Sequence, residues 1–460
     1  MATFEISWGR KAGQNWDASS TRFGALGGGG HVDPQTTENR VQVRIRSSYT
    51  LANMYVRVPS NTTTADSTLR SRINGANGNL VVTVGGGLTG AFQDTTNSDS
   101  PVDGDLANFQ VVTPADVLST SLVGFTMANV SGDDTILVSN SSTMAGFTQG
   151  SDVTRYMPMG GTNAGDIDTE ANVQYTLRSS ATWSNFRAFV AANSIGGTVT
   201  GRTRLNTGNG AQSVSISASA TGSFEDTTNS DSPVAGDEVD YQMVTPVTLG
   251  SITWNLFQVK SAGTGRQVAF GHASGISLSA DRFEPIEGSG VADTSDAEAS
   301  NQIAARSTFT ASNLFVNVIT HGASSGVDFF LRLGGANSAL TLNVAASSTG
   351  LFENTTNTVD LISGNLYNHS VDHGGGAGSI TFTLLGLQNG PTATLVPLIA
   401  AGYSPDIFDF LPEEPDLDFE PQGELYYWAF LLDRPGAGEP IPTQPTTPTM
   451  PTRLREPARR

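Results

Sequence analysis

The chain has 460 residues, room for about three domains of ordinary size, and only 15% of them are charged, against a usual ~25%. Its 43 Asp and Glu against 24 Lys and Arg leave a net charge of −19, which argues against the clustered-cation surface that binds phosphate backbones and makes nucleic acid a poor partner. Cysteine is absent, so disulfides, thiolate metal sites and thiol catalysis are excluded, and no run of about 18 apolar residues or apolar leader core is present, so neither a membrane span nor a signal peptide is expected.

The first element is an alternating stretch, Phe4-Glu-Ile-Ser-Trp8, and it predicts a strand. It occupies the place held by Ile136 to Gly146 and Val268 to Gly275 further on, so residues 4 to 24 read as the closing strand of a unit whose body is missing. Two readings follow. The segment packs on the first domain as an extra edge strand, or it completes a sheet edge on another subunit and polymerises the protein head to tail, with Phe4, Ile6 and Trp8 as assembly residues.

From there the chain repeats itself. Thr89-Gly-Ala-Phe-Gln-Asp94-Thr-Thr-Asn97, closed by Gly104-Asp105, returns as Thr221 to Asn229 with Asp226 and Gly236-Asp237, and again as Thr349 to Asn357 with Asn354 and Gly364-Asn365. The offsets are 132 and 128 residues. Arg46, Arg178 and Arg306 keep them, each seven residues before Asn53, Asn185 or Asn313; so do Arg72, Arg204 and Arg332, each five before Asn77, Asn209 or Asn337. A fourth pair, Arg155-Tyr and Arg282-Phe, is matched by Arg22-Phe. Between these motifs the apolar period is two, as in Met54-Tyr-Val-Arg-Val58 and Ser213-Val-Ser-Ile-Ser217, and no convincing helical pattern precedes residue 400. About eight strands per repeat is the arithmetic of a two-sheet sandwich.

The expected fold is therefore all-β: three tandem jelly-roll-like β-sandwich repeats over 31–160, 161–290 and 291–405, with an orphan N-terminal strand in 1–30 and an extended C-terminal arm. The segment 406–433 interleaves acids with Phe408, Phe410, Tyr426, Tyr427 and Trp428, a pattern suited to docking or to one last buried strand. The tail 434–460 is Pro/Thr-rich and ends in four arginines.

Little chemistry is visible. Asp99, Asp103 and Asp105 could offer oxygen ligands to calcium, but Ala235 and Asn365 break the set in the later copies. Asp94, Asn97, Gly104, Asp105 and their counterparts Asp226, Asn229, Gly236, Asp237, Asn354 and Asn357 read better as turn residues, with no cofactor. Arg72, Arg204 and Arg332 are expected to pair with carboxylates inside each unit. His369 and His373 lie four apart in strand and loop context, and Gly322-Ala-Ser324-Ser-Gly326 lacks the helix that a nucleophile elbow needs. No catalytic residue is assigned.

The carriers Arg72-Ile-Asn-Gly75, Phe92 to Asn97 and Gly104-Asp105, with Arg204-Leu-Asn206 and Phe224 to Asn229, resemble modules of bacteriophage virion proteins and of bacterial collagen-like surface proteins, which look like the tumour-necrosis-factor-type jelly roll. The resemblance covers about 40 residues per repeat and implies a structural or adhesive, often trimeric, protein with no catalytic residues to carry over. The expectation is a non-enzymatic subunit of a fibre or particle, in a virion or outside a cell, with itself as partner and other virion or surface proteins or glycans as further ones. An extracellular filament subunit, or a carbohydrate-binding module stacking sugars on Trp183, Trp254 or Trp428, are the alternatives.

Overall fold

The computed structural model describes residues 3 to 391 except 30–34, 131–133, 142–146, 161, 164–167, 264 and 289–296. Phe408, Phe410, Tyr426, Tyr427 and Trp428, with all of 406–460, lie outside the described residues.

The main strands fall into three sets. The first is β1 (Thr3–Trp16), β2 (Ser20–Gly24), β3 (Tyr49–Val58), β4 (Ser67–Ile73), β5 (Ala76–Val84), β6 (Gly90–Asp99), β7 (Leu106–Thr113) and β8 (Leu118–Asn129). The second is β9 (Asp134–Ser141), β10 (Thr154–Met157), β11 (Thr182–Asn193), β12 (Val199–Leu205), β13 (Gly208–Ile216), β14 (Gly222–Asp231), β15 (Glu238–Val244) and β16 (Ser251–Ala262). The third is β17 (Arg266–Leu278), β18 (Arg282–Glu284), β19 (Phe309–His321), β20 (Val327–Leu333), β21 (Ala336–Val344), β22 (Gly350–Leu361), β23 (Leu366–Asp372) and β24 (Ile380–Pro391).

These strands form small antiparallel sheets, and the order is the same in each set. In the first, β1-β8-β3-β6 make one sheet and β2-β7-β4-β5 the other. The second repeats it as β9-β16-β11-β14 and β10-β15-β12-β13. The third does so as β17-β24-β19-β22 and β18-β23-β20-β21. Period-two patterning sets the inward face: Leu69 and Val82 are buried while their chain neighbours are partly or fully exposed.

Strands β8 and β16 depart from alternation and are buried along nearly their whole length. Two faces are covered because one lies on the unit's own core and the other on a neighbouring unit. The first buried cluster takes Phe189 and Leu256 from the second set, the second-set cluster takes Phe315 and Leu384 from the third, and the third-set cluster takes Tyr55 and Leu122 from the first. Leu122, Leu256 and Leu384 are equivalent, since they pair with Arg57, Phe189 and Asn317, which keep the 132 and 128 offsets. The contacts run first to third, third to second and second to first, so the sheets close into a propeller-like ring, with those of β9 and β17 joined through Thr162 and Asn163. Three sandwiches strung in a row, the arrangement expected from the tandem motifs, is corrected by that closure.

The N-terminal strand is likewise not an orphan. β1 pairs with β8 of the same chain from Thr3↔Ala128 to Trp16↔Leu118, and on its other side Trp8 and Gly9 meet Gly28 and Gly29. It opens the first set as β9 and β17 open the others, and within this chain it packs on the first set, the first of the two readings drawn from sequence. The sequence motif looked like a closing strand because the repeat was framed on its Arg-Ser and Asp-Thr-Thr-Asn signatures, which fall in mid-unit.

Candidate functional site

The repeated polar residues converge on four devices. The first is a two-pronged ion pair. Arg72 Nε and Nη2 donate to Glu38 Oε1 and Oε2 at 2.9 and 3.1 Å. Arg204 meets Glu170 at 2.7 and 3.0 Å, and Arg332 meets Glu298 at 2.8 and 3.0 Å. Nη1 of each donates to the amide oxygen of Asn77, Asn209 or Asn337, and Nη2 also reaches the carbonyl of Gly75, Thr207 or Gly335. The rings of Phe23, Tyr156 and Phe283 lie 5.8, 6.0 and 5.4 Å from the guanidinium carbons, which gives the Arg-aromatic motif its role. The hydrogen bonds to Glu170 push the Arg204 pKa up. Beside this second fork, fully buried Asp240 stands where the other units have Asn108 and Asn368, and burial together with the Glu170 charge pushes its carboxyl well above the usual range.

The second device caps a bulge. Asn53, Asn185 and Asn313 take φ of +51°, +55° and +50°, where β3, β11 and β19 slip register against β6, β14 and β22. The extra residues of the partner strand wrap around Asp94, whose carboxylate accepts from the backbone N–H of Val81, Thr96 and Asn97 at 2.9, 3.1 and 3.1 Å and from the Asn97 amide at 2.9 Å. Asp226 does the same with Ser213, Thr228 and Asn229. Burial raises these two pKa values, but the converging donors outweigh it and hold each at about 2. In the third unit Asn354 keeps the bonds from Thr356 and Asn357, while its Nδ2 donates to the Thr341 carbonyl at 2.5 Å. The amide turned the bond around. Asp94, Asn97 and their counterparts thus cap a bulge inside a strand, where the sequence suggested a turn.

The third device is a true turn. Asp105 Oδ2 accepts from Val102 N–H at 2.8 Å and Oδ1 from the Asn74 amide at 2.7 Å; Asp237 does so with Val234 and Asn206, and Asn365 accepts from Ile362. Gly104, Gly236 and Gly364 have φ of +93°, +103° and +96°, which only glycine adopts without strain. Asp99 is spent on Ser71 and the Asn79 N–H, so it does not converge with Asp103 and Asp105 on a cation. Among the described residues no group of three His, Asp or Glu is arranged to hold a metal.

The fourth device lies in the ring seams. Glu225 of the second unit receives Arg44 at 2.7 Å and also Arg46, both from the first. Glu353 of the third unit receives Arg178 Nε of the second at 3.0 Å. Arg306 of the third returns to the first, where its Nη1 donates to Gln93 Oε1 at 2.5 Å and its guanidinium sits 4.5 Å from the Tyr55 ring centroid. Buried Arg187, its pKa lowered to about 10 by burial, adds a bond to the Gln42 carbonyl at 2.7 Å, and Asn317 bonds the carbonyls of Ala171 and Gln174.

Among the expected assembly residues, Ile6 is fully buried in the first core and Phe4 packs edge-on against Tyr49, with centroids 6.0 Å apart. The Trp8 backbone is paired with Val123. Trp183 and Trp254 are 0% and 1% exposed, so neither presents a face to a sugar. His369 is fully buried, and burial pushes its imidazole down to about 3. Ser324 sits between β19 and β20, its Oγ accepting from Ala377 N–H at 3.0 Å, in a strand-to-strand connection without an elbow. The fork carboxylates Glu38, Glu170 and Glu298 and the seam acids Glu225 and Glu353 were not singled out from sequence. The signal was present, since Glu38, Glu170 and Glu298 keep the 132 and 128 offsets of the arginines they serve, and Glu225 and Glu353 are themselves 128 apart.

No family model and no curated protein matches the chain. Among solved structures, it is similar to one described as the atomic structure of Sulfolobus turreted icosahedral virus, at 12% identity over 75% of this chain and 80% of that one, with a TM-score of 0.14. A second is described as the triple jelly roll fold and turret assembly in an archaeal virus, at 11% identity over 82% and 91%, with a TM-score of 0.13. At such low TM-scores neither likeness carries an argument. Among the described residues no helix is long and apolar enough to cross a membrane.

Proposed function

We propose that the chain is a non-enzymatic structural subunit of a virus particle, built of three jelly rolls spanning 3–129, 134–262 and 266–391. One observation carries the reading: eight strands in the orders 1-8-3-6 and 2-7-4-5, the two four-stranded sheets of a jelly roll, made three times and locked in one ring. The ionisable groups support it, because the arginines and acids that repeat are consumed in forks, bulge caps and seams instead of converging on a reacting atom. The closed ring favours a block in a shell or on its surface over a spacer in a fibre, since closure leaves the units no free ends to string together. Buried Trp183 and Trp254 weigh against the sugar-binding alternative.

An antibody against the purified chain, applied to lysates of the cells that make it, tests the reading. It should label particles that band at virion density in a gradient and are seen by electron microscopy. Label confined to the soluble fraction, or to extended filaments, would overturn it.

A further inference from the structure

The seam between the first and second units holds more positive charge than its counterparts need. In each seam a cross-strand pair of one unit meets an arginine of its neighbour: Arg187 and Glu225 meet Arg46, Phe315 and Glu353 meet Arg178, and Tyr55 and Gln93 meet Arg306. Arg44 joins the first of these, where Thr176 and Ala304 stand in the other two. At these positions the first seam therefore gathers three guanidinium groups, and each of the others has one. Arg44 and Arg187 do not repeat, so the design of the ring does not account for them.

The charges do not cancel. Among the described residues the acids within 4.0 Å of the three arginines are Glu225, 2.7 Å from Arg44, 3.3 Å from Arg187 and bonded to Arg46, and Asp103, 4.0 Å from Arg46. Asp134, held by Ser47 next to Arg46, is already matched by Lys260 at 2.8 Å. Three positive charges against two negative ones leave one over, and they leave nearly two when Asp103, 69% exposed, is discounted for screening by water. Arg187 feels the surplus, since burial first and then the charges of Arg44 and Arg46 lower its pKa against the pull of Glu225.

Nor are the donors used up. Arg187 spends Nε and Nη1 on Ser223 and the Gln42 carbonyl, Arg44 spends Nη1 on the Gly104 carbonyl at 3.0 Å, and Arg46 spends Nη2 on Glu225. Among the described residues Arg44 Nη2 and Arg46 Nη1 have no hydrogen-bond acceptor, whereas Arg178 of the second seam directs both Nε and Nη2 at its one carboxylate. The Arg44 side chain is 28% exposed, so the site opens to solvent.

We infer that this seam binds a small oxyanion of the phosphate class, held by Arg44 Nη2 and Arg46 Nη1 with the buried charge of Arg187 adding to the pull. Guanidinium groups match such oxygens with paired, charge-assisted bonds. A phosphate carries between about one and two negative charges at neutral pH, which is the charge left over here. The chain's −19 disfavours a long polyanion, but a single anion needs only this local surplus. Bound there, it ties the first unit to the second.

Isothermal titration calorimetry of the full-length chain with inorganic phosphate, at an ionic strength held constant with NaCl, tests the site. Phosphate should bind saturably, one per chain. R44T, which copies Thr176 of the second seam, should keep the circular dichroism of the wild type and weaken binding at least about tenfold, as loss of a charge-assisted bond does. D103A, which copies Ala235, should tighten binding because a competing carboxylate is gone. Glycerol 3-phosphate separates the sources: equal affinity points to free phosphate and tighter binding to a phosphate carried on a larger molecule, and both uphold the site. No saturable heat up to about 10 mM phosphate, undiminished binding by R44T, or weaker binding by D103A would overturn the proposal.

Discussion

Glu38 and Arg72, 34 residues apart, meet in a two-pronged ion pair that is rebuilt at Glu170–Arg204 and Glu298–Arg332 with the same separation. A planar guanidinium matches a carboxylate in this geometry and an ammonium does not. Arg204 is 9% and Glu170 14% exposed at the side chain. Replacing Arg204 by Lys is therefore expected to cost about 1–2 kcal/mol, as loss of charge-assisted hydrogen bonds does. A double-mutant cycle with Glu170→Gln, followed by denaturant unfolding, should give a coupling energy near 1 kcal/mol. Additive effects would mean that the fork contributes nothing as a unit.

Asp94 and Asp226 predict one limb of the stability–pH curve. Their folded pKa values of about 2 lie below the ordinary aspartate value of 3.8, so their contribution is complete above about pH 4 and is lost as pH falls toward 2. Asn354 fills the same place without a charge. The variant D94N/D226N should flatten the acid limb between pH 4 and 2, and its loss at pH 7 should be smaller than that of D94A/D226A, because an amide can turn to donate as Asn354 does. Acid melts that superimpose on the wild type would refute this account.

Asp240 predicts the opposite sign. Its carboxyl is pushed up, so the folded state holds a proton that the unfolded chain has released, and stability falls as pH rises from about 4 through the folded pKa. Asn108 and Asn368 show that the fold accepts an amide there, fully buried. Asp240→Asn should raise the melting temperature at pH 7 and leave it nearly unchanged at pH 4. A variant less stable at pH 7 would mean that the carboxylate is needed in place.

Much of this was legible in the sequence, and the part that was not has a physical cause. Period two, the 132 and 128 offsets and the Arg-to-Asn spacing of five came straight from residues, and the last is the Arg72–Asn77 hydrogen bond itself. The ring was not legible. It depends on the second face of β8 and β16, where a residue such as Ser121 is small and polar yet buried, its hydroxyl bonded to the Ser300 carbonyl of the third unit, and nothing in a single strand says which neighbour covers it. The bulge was misread as a turn because Asx side chains serve both, and only the register of Asn53 against Asp94 separates them.

The three seams are built alike but not equally, which gives the last prediction. Arg46 and Arg178 face Glu225 and Glu353, while Arg306 faces Gln93, a neutral acceptor, at the one seam that the chain does not cross in passing between successive units. Closure there rests on Leu122 and Tyr55 in the third-unit core, the Arg306 contact with the Tyr55 ring, and hydrogen bonds such as Tyr55 to the Gln302 carbonyl at 3.4 Å. Gln93→Glu places at this seam the carboxylate that Glu225 and Glu353 carry at the equivalent positions. Position 93 is exposed, so the gain should be small, about 0.5 kcal/mol at low salt. It should disappear in about 1 M NaCl, where screening removes exposed ion pairs. Arg306→Ala should cost more than this gain, because it also takes away the ring contact, and combining it with Gln93→Glu should restore nothing. Thermal melts of the four proteins at low and high salt measure each term. If Gln93→Glu stabilises the chain equally in the Arg306→Ala background, the added carboxylate acts elsewhere and the seam argument fails.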